Sequence, residues 1–194
     1  DFLYKNPTRN VIFLDNHDMS RWFSQVGEDV RTQKAGIEWL LTCRGIPQLY
    51  YGTEILMKGF ANPDGWVRQD FPGGWPGDKK NAFTGQGLSA EERSVQELVR
   101  TLANYRKGSS ALKTGKMMQF LPHEGLYVYF RWDERQTVLC AMNTDSLPAS
   151  LNIERYHERT AGFREAVDVL TGRRYPLHEI PSIPAGEMWI LELK

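Results

Sequence analysis

The chain has 194 residues, 41% of them hydrophobic, enough for one domain or two small ones with a real core. Its 24 basic and 24 acidic side chains cancel, so nothing calls for nucleic acid or an anionic membrane surface as a partner. No apolar run approaches the ~20 residues that cross a bilayer, and residues 1–6 lack the basic-then-apolar pattern of an export signal.

Residues 11–14 form a short unbroken apolar run that stops at Asp15-Asn16-His17-Asp18. A strand apolar on both sides suits a parallel sheet covered on both faces. Residues 28–44 read as a helix with Val30, Ile37, Leu40 and Leu41 roughly on one face, ended by Gly45 and Pro47. A second apolar run, 46–51, follows and finishes in Gly52-Thr53-Glu54. Strand, helix, strand is a βαβ unit, and the C-terminal ends of such strands are where sites are built. Residues 58–88 are rich in Gly, Pro, Asn, Asp and Trp without a period. Loops of that length are functional or disordered, and the aromatic content argues for order. Ser89-Ala90-Glu91-Glu92 is a capping box. It opens a helix with a Val95, Leu98, Val99, Leu102, Ala103 stripe and Gly108 as its expected cap.

From Lys116 onward the period becomes two. Residues 126–131 and 137–142 are strands joined by a turn at 133–136; 151–153, 166–170, 173–177 and 188–193 are further short strands between turn signals. This pattern predicts a small antiparallel sandwich. The expected division is 1–112 for an α/β part and 113–194 for an all-β domain. Cys43 and Cys140 sit in apolar stretches and read as buried free thiols, fitting neither a disulfide framework nor a zinc site. His123, His157 and His178 lack ligand spacing, and no metal site or cofactor is expected.

A βαβ unit cannot be a whole domain, and its residues say what it belongs to. Phe13-Leu14-Asp15-Asn16-His17-Asp18 resembles the seventh-strand motif of the α-amylase superfamily of glycoside hydrolases. The segment from Gly45 through Tyr50, Tyr51, Gly52 and Thr53 to Glu54 resembles the eighth-strand motif of the same family. The stretches around Gly59, Asn62, Pro63 and Asp64, and around Arg68, Asp70, Phe71 and Trp75, resemble the cyclomaltodextrinase and neopullulanase branch. The resemblance implies the last βαβα part of a TIM barrel followed by the β domain. It implies retaining cleavage of α-glucosidic bonds in maltodextrin, cyclodextrin or pullulan, and a periplasmic or cell-surface bacterial enzyme. The location itself is open in the sequence.

The implied site residues follow from the motif matches. Asp18 corresponds to the family carboxylate that binds two sugar hydroxyls and favours the positive charge developing on the ring. His17 is implied to donate to a neighbouring hydroxyl. Asn16 orients its neighbours rather than touching sugar, and Asp15 receives no catalytic role. Tyr51 and Glu54 end the next strand; Glu54 either steers the loop or forms a structural ion pair. Arg68 pairs with an acid such as Asp64 to hold the loop, the favoured role, or contacts sugar. Trp66 and Trp75 either stack on glucose or pack against the loop. The nucleophile and acid/base belong to the fourth and fifth barrel strands, so the chain by itself is expected to be inactive.

Alternatives are a transglycosylase, a non-catalytic barrel homologue, or a β domain that binds carbohydrate through Tyr127, Tyr129, Trp132 and Tyr156. Open strand edges at 11–14 and 48–51 predict that residues 1–108 pair with a second copy or stay poorly ordered.

Overall fold

In the computed structural model, residues 3–194 are described. Asp1 and Phe2, the start of the stretch read for an export signal, lie outside the described residues. The first part contains β1 (Val11–Ile12), α1 (Trp22–Gln25), α2 (Val30–Thr42), β2 (Ile46–Pro47), α3 (Ala90–Gly108) and α4 (Ser110–Thr114). The second contains β3 (Lys116–Gln119), β4 (Leu126–Trp132), β5 (Thr137–Asn143), α5 (His157–Thr160), β6 (Glu165–Asp168), β7 (Arg174–Pro176) and β8 (Met188–Leu193).

β1 and β2 pair in parallel, Val11 opposite Ile46 and Ile12 opposite Pro47, with α2 as the crossover. The ladder is shorter than the apolar runs, and Val11, Phe13 and Ile46 are exposed. α2 starts two residues later than expected. Glu28 adopts φ 61°, and Asp29 takes the cap by accepting the Thr32 N–H at 2.7 Å. The short helix α1 was not read from the sequence.

The capping box on α3 closes in both directions: Glu92 N–H to Ser89 Oγ at 3.1 Å, and Ser89 N–H to Glu92 Oε2 at 2.7 Å. Gly108 is not the cap. The helix runs through it, and Ser109 ends α3 while its hydroxyl accepts from Leu112 N–H to start α4. One serine between two helices makes a left-handed glycine unnecessary. The buried stripe also differs: Ala103 is exposed, and Arg106 is buried in its place.

The second part is one six-stranded antiparallel sheet, ordered β3-β4-β5-β8-β6-β7. The hairpin turn falls where expected. Asp133 Oδ1 accepts from Arg135 and Gln136 N–H, and Trp132 lies opposite Thr137. Residues 151–153 are not a strand. Asn152 accepts from Glu154 N–H and caps a 3₁₀ turn over Ile153–Tyr156, while Leu151 and Ile153 are buried. They complete a second layer with Tyr156, Leu177 and Ile183, over the face carrying Leu126, Val128, Phe130, Leu139 and Leu191. The domain is thus the small antiparallel sandwich expected, with a second wall made of turns.

The opposite sheet face carries Tyr129, Val138, Cys140, Met188 and Ile190. These pack with Ile37 and Leu41 of α2, Val95, Leu98 and Leu102 of α3, and Leu112 of α4. Period-two alternation therefore splits each strand between two cores. The sequence reading gave α2 and α3 no partner within the chain; the structure gives them this sheet.

Two buried arginines fasten the seam. Arg106 donates to the carbonyls of Leu41 (2.8 Å), Cys43 (3.4 Å) and Gly45 (2.8 Å). Arg131 donates to those of Thr42 (2.8 Å), Gly115 (3.3 Å) and Lys116 (3.4 Å). They satisfy carbonyls that the end of α2 would otherwise leave open, at the negative pole of the helix dipole. Burial, then the Arg131 charge, pulls Arg106 down to about 10. Both cysteines are free. Cys140 is buried, its thiol pushed up to about 12 by burial, whereas Cys43, at the end of α2, is only half-buried.

Candidate active site at the end of the parallel strands

Residues following β1 and β2 converge at their C-terminal ends. Asn16 Oδ1 accepts the Asp18 N–H at 2.9 Å, and its carbonyl accepts from Met19 N–H at 3.3 Å. This local turn competes with continued strand and lifts His17 and Asp18 into solvent. The Asp18 side chain is 67% exposed; its Oδ2 lies 3.2 Å from His17 Nε2. Arg68 reaches in from the long loop. Its Nε donates to the His17 carbonyl at 3.0 Å, and its Nη2 lies 3.3 Å from Asp18 Oδ1 and 3.4 Å from Asp64 Oδ1. Arg68 thus serves the loop-holding pair and touches Asp18 as well.

Asp15, one pleat below, points inward and is buried. Its Oδ2 accepts the Trp22 N–H at 2.8 Å, and its Oδ1 accepts the Thr53 hydroxyl at 3.1 Å. Burial raises its carboxyl above the usual range, against those two bonds and the nearby Arg21 charge. Glu54 is also turned inward. Burial raises it too, and its Oε2 has no hydrogen-bond partner among the described residues. The structural ion pair considered for Glu54 is absent among those residues.

Two residues that sequence reasoning passed over, Arg21 and Gln33, build the floor. Arg21 is fully buried, its guanidinium 4.2 Å from the centre of the Tyr50 ring and 4.7 Å from that of Tyr51. It donates to the Tyr51 carbonyl, and its N–H bonds to Gly59 O at 2.8 Å. Gln33, on α2, donates to Thr53 O at 2.8 Å, and Thr53 in turn holds Asp15. The only sequence signal for Arg21 was a charge immediately before the apolar pair Trp22 and Phe23.

The loop is stitched to the turn after β1. Gly59 N–H donates to Ser24 Oγ and Ala61 N–H to Ser20 Oγ, each at 3.0 Å. Gly59 is required here, since a Cβ would sit 2.5 Å from the Trp66 carbonyl oxygen. The loop is ordered by its own small core of Ile55, Ala82 and Leu88, with Met57 and Phe71 against it. Tyr51 donates its hydroxyl to Gln69 O at 2.7 Å and is 38% exposed. Trp66 and Trp75 are 53% and 64% exposed, so each is partly covered and partly open to solvent. Trp66 and Phe60 line a cleft of about 470 Å³.

Elsewhere, the β-domain aromatics are consumed by packing. Tyr129 and Tyr156 are buried, Tyr127 is half-buried, and Trp132 lies under the Arg159 guanidinium at 4.5 Å. No helix among the described residues is long and apolar enough to cross a membrane. No group of three or more His, Cys, Asp or Glu among them could hold a metal.

Residues 3–110 match the family model described as "Alpha amylase, catalytic domain", and residues 117–192 that described as "Cyclo-malto-dextrinase C-terminal domain". The cyclomaltodextrin glucanotransferase of Paenibacillus macerans is 32% identical over 146 residues, covering 75% of this chain and 18% of that protein. An α-amylase of Niallia circulans is 29% identical over 140 residues, covering 72% and 23%. The chain thus spans about a fifth of the length of the curated relatives it matches. Among solved structures, the α-amylase from Geobacillus thermoleovorans complexed with acarbose superposes with a TM-score of 0.74 at 22% identity, over 98% of this chain and 40% of that one. The maltogenic amylase from S. marinus gives 0.67 at 17%, over 93% and 22%.

Proposed function

The chain belongs to the α-amylase family of glycoside hydrolases, and from that premise we propose that it completes a barrel that cleaves α-glucosidic bonds in maltodextrin, cyclodextrin or pullulan. Cleavage proceeds with retention, on the neopullulanase and cyclomaltodextrinase side of the family. The observation that carries this reading is the open Asp18 carboxylate at the C-terminal edge of the parallel pair, with His17 and Arg68 against it. A carboxylate in that place accepts two hydroxyls of one sugar and opposes the charge of an oxocarbenium-like transition state. His17 donates to an adjacent hydroxyl, Asn16 sets the turn, and Arg68 with Asp64 holds the loop over the sugar. Trp66, half-exposed on the cleft wall, stacks on a glucose unit in this reading. Tyr51 contributes its exposed surface, and the inward Glu54 steers the turn beneath.

In this reading the nucleophile and the acid/base stand on other strands of the barrel. Retaining chemistry needs both, ~5–5.5 Å apart. The 194-residue chain alone is therefore expected to release no reducing sugar from starch, cyclodextrin or pullulan. Release above a buffer blank, by a preparation free of contaminating amylase, would overturn that assignment.

Transfer is the second reading, favoured by the glucanotransferase relatives at 28–32% identity. An enzyme with the complete barrel, given a concentrated short maltodextrin, separates the two: longer or cyclic products mean transfer, and shorter ones only mean hydrolysis.

Self-association belongs to the same proposal. Val11, Phe13 and Ile46 place apolar surface along the β1–β2 pair, and such edges recruit another strand. Light scattering at micromolar concentration is expected to show dimers or larger species for the chain expressed alone. A monodisperse monomer would remove this part.

A further inference from the structure

Glu38 lies on the face of α2 that meets the C-terminal sheet, and it is 6% exposed. Its carboxyl has no hydrogen-bond or ion-pair partner among the described residues. Buried carboxylates are ordinarily paired, because an isolated charge out of water is costly. Lys34 stands one turn earlier, but lysine N-terminal to glutamate is the weaker orientation for a helical pair, and the two make no ion pair.

The carboxyl borders a cavity of about 300 Å³ between α2, α3 and the sheet. α2 contributes Arg31 and Lys34, α3 only the apolar Leu98, the end of β6 Asp168, and the turn before β8 Glu187. Asp168 is already committed, accepting from Leu170 N–H at 2.9 Å and from the Thr171 hydroxyl at 2.6 Å. A charge on Glu38 would thus face the carboxylates of Asp168 and Glu187 across the gap, with Arg31 and Lys34 on its own helix. Burial above all, opposed by Lys34 and seconded by Glu187 and Asp168, pushes Glu38 up to about 8.

We propose that Glu38 makes the seam between α2 and the C-terminal sheet responsive to protons: the seam is tight while this carboxyl is uncharged and loosens when it ionises beside Asp168 and Glu187. The cavity has room for several waters at ~30 Å³ each, so hydration of the charged form spreads the seam rather than requiring global unfolding. The same helix carries Gln33, which holds Thr53 and through it Asp15.

The sign follows from linkage. An unfolded glutamate releases its proton near 4.5, and the folded one near 8. Between those values the folded chain holds a proton that the unfolded chain lacks. Stability therefore falls as pH rises through that window and levels off above it.

Glu38→Gln keeps the shape and cannot ionise. Urea unfolding of the full chain, wild type and variant, is compared from about pH 5 to about pH 8. The ratio of their unfolding constants is expected to grow about a hundredfold or more over that range, wild type becoming the less stable. In parallel, hydrogen exchange along α2, corrected for intrinsic rates, is expected to accelerate with pH in wild type only. Unfolding curves that keep a constant offset would overturn the proposal. So would carboxyl-carbon NMR in which every glutamate titrates below about pH 6, a result independent of how the variant folds.

Discussion

Asp18→Asn, in an enzyme carrying the complete barrel, is expected to lower turnover on the order of 10³-fold, the scale seen when one electrostatic stabiliser of a transition state is removed. Asparagine keeps the side-chain shape, and the Asn16 turn that presents it uses only the backbone N–H of residue 18, so geometry should survive. What disappears is the charge opposing the sugar cation, present in the transition state far more than in bound substrate. The loss should therefore fall on kcat and on kcat/KM together, with KM little changed. Arg68 would keep its bonds to the His17 carbonyl and Asp64, so the loop should remain in place. Steady-state kinetics on a maltooligosaccharide decide it. A variant within about threefold of wild type would remove Asp18 from the chemistry.

The second large effect is on stability. Arg131→Met should destabilise the chain by about 2–3 kcal/mol, measured as a lower urea midpoint at unchanged slope. Replacing a whole buried ion pair by apolar groups can be neutral, but here only the donor is removed. The carbonyls of Thr42, Gly115 and Lys116 stay behind, and the methionine cannot serve them. Relief of the repulsion between Arg131 and Arg106 offsets part of the loss. A change within about 0.5 kcal/mol, the range of an ordinary surface substitution, would show that the α2 terminus finds other donors.

What could be read beforehand divides along physical lines. Features set by neighbours in sequence were legible. The Ser89–Glu92 box closes over three residues, Asp133 closes its own hairpin, and the turn at Asn16 follows directly from an apolar run. Leu151 and Ile153 misled, because alternation of two apolar residues around Asn152 fits a strand as well as a capped turn, and burial against the sheet decided between them. The seam was not legible at all. Arg106 and Arg131 reach carbonyls at the end of α2 that lie 61 to 89 residues away, and carbonyls carry no sequence signature. Period-two alternation in β4 showed which residues share a face, but not that Tyr127, Tyr129 and Arg131 would face helices rather than water. Arg21 was hidden for a related reason: its partners are two rings and a carbonyl brought together only by the parallel pairing.

The arginine clamp also has a schedule. Thr42 leaves the ribosome 89 residues before Arg131, which at 5–20 residues per second is about 4–18 s of synthesis. β8, which lies between β5 and β6 in the sheet, comes last. Throughout that interval the Thr42 carbonyl is made and its Arg131 donor is not yet translated, while Arg106, the donor to Leu41 and Gly45, is made 25 residues earlier. A message cut short before β8 would leave the clamp without the sheet that presents it, exposing to proteases a helix that the finished chain conceals.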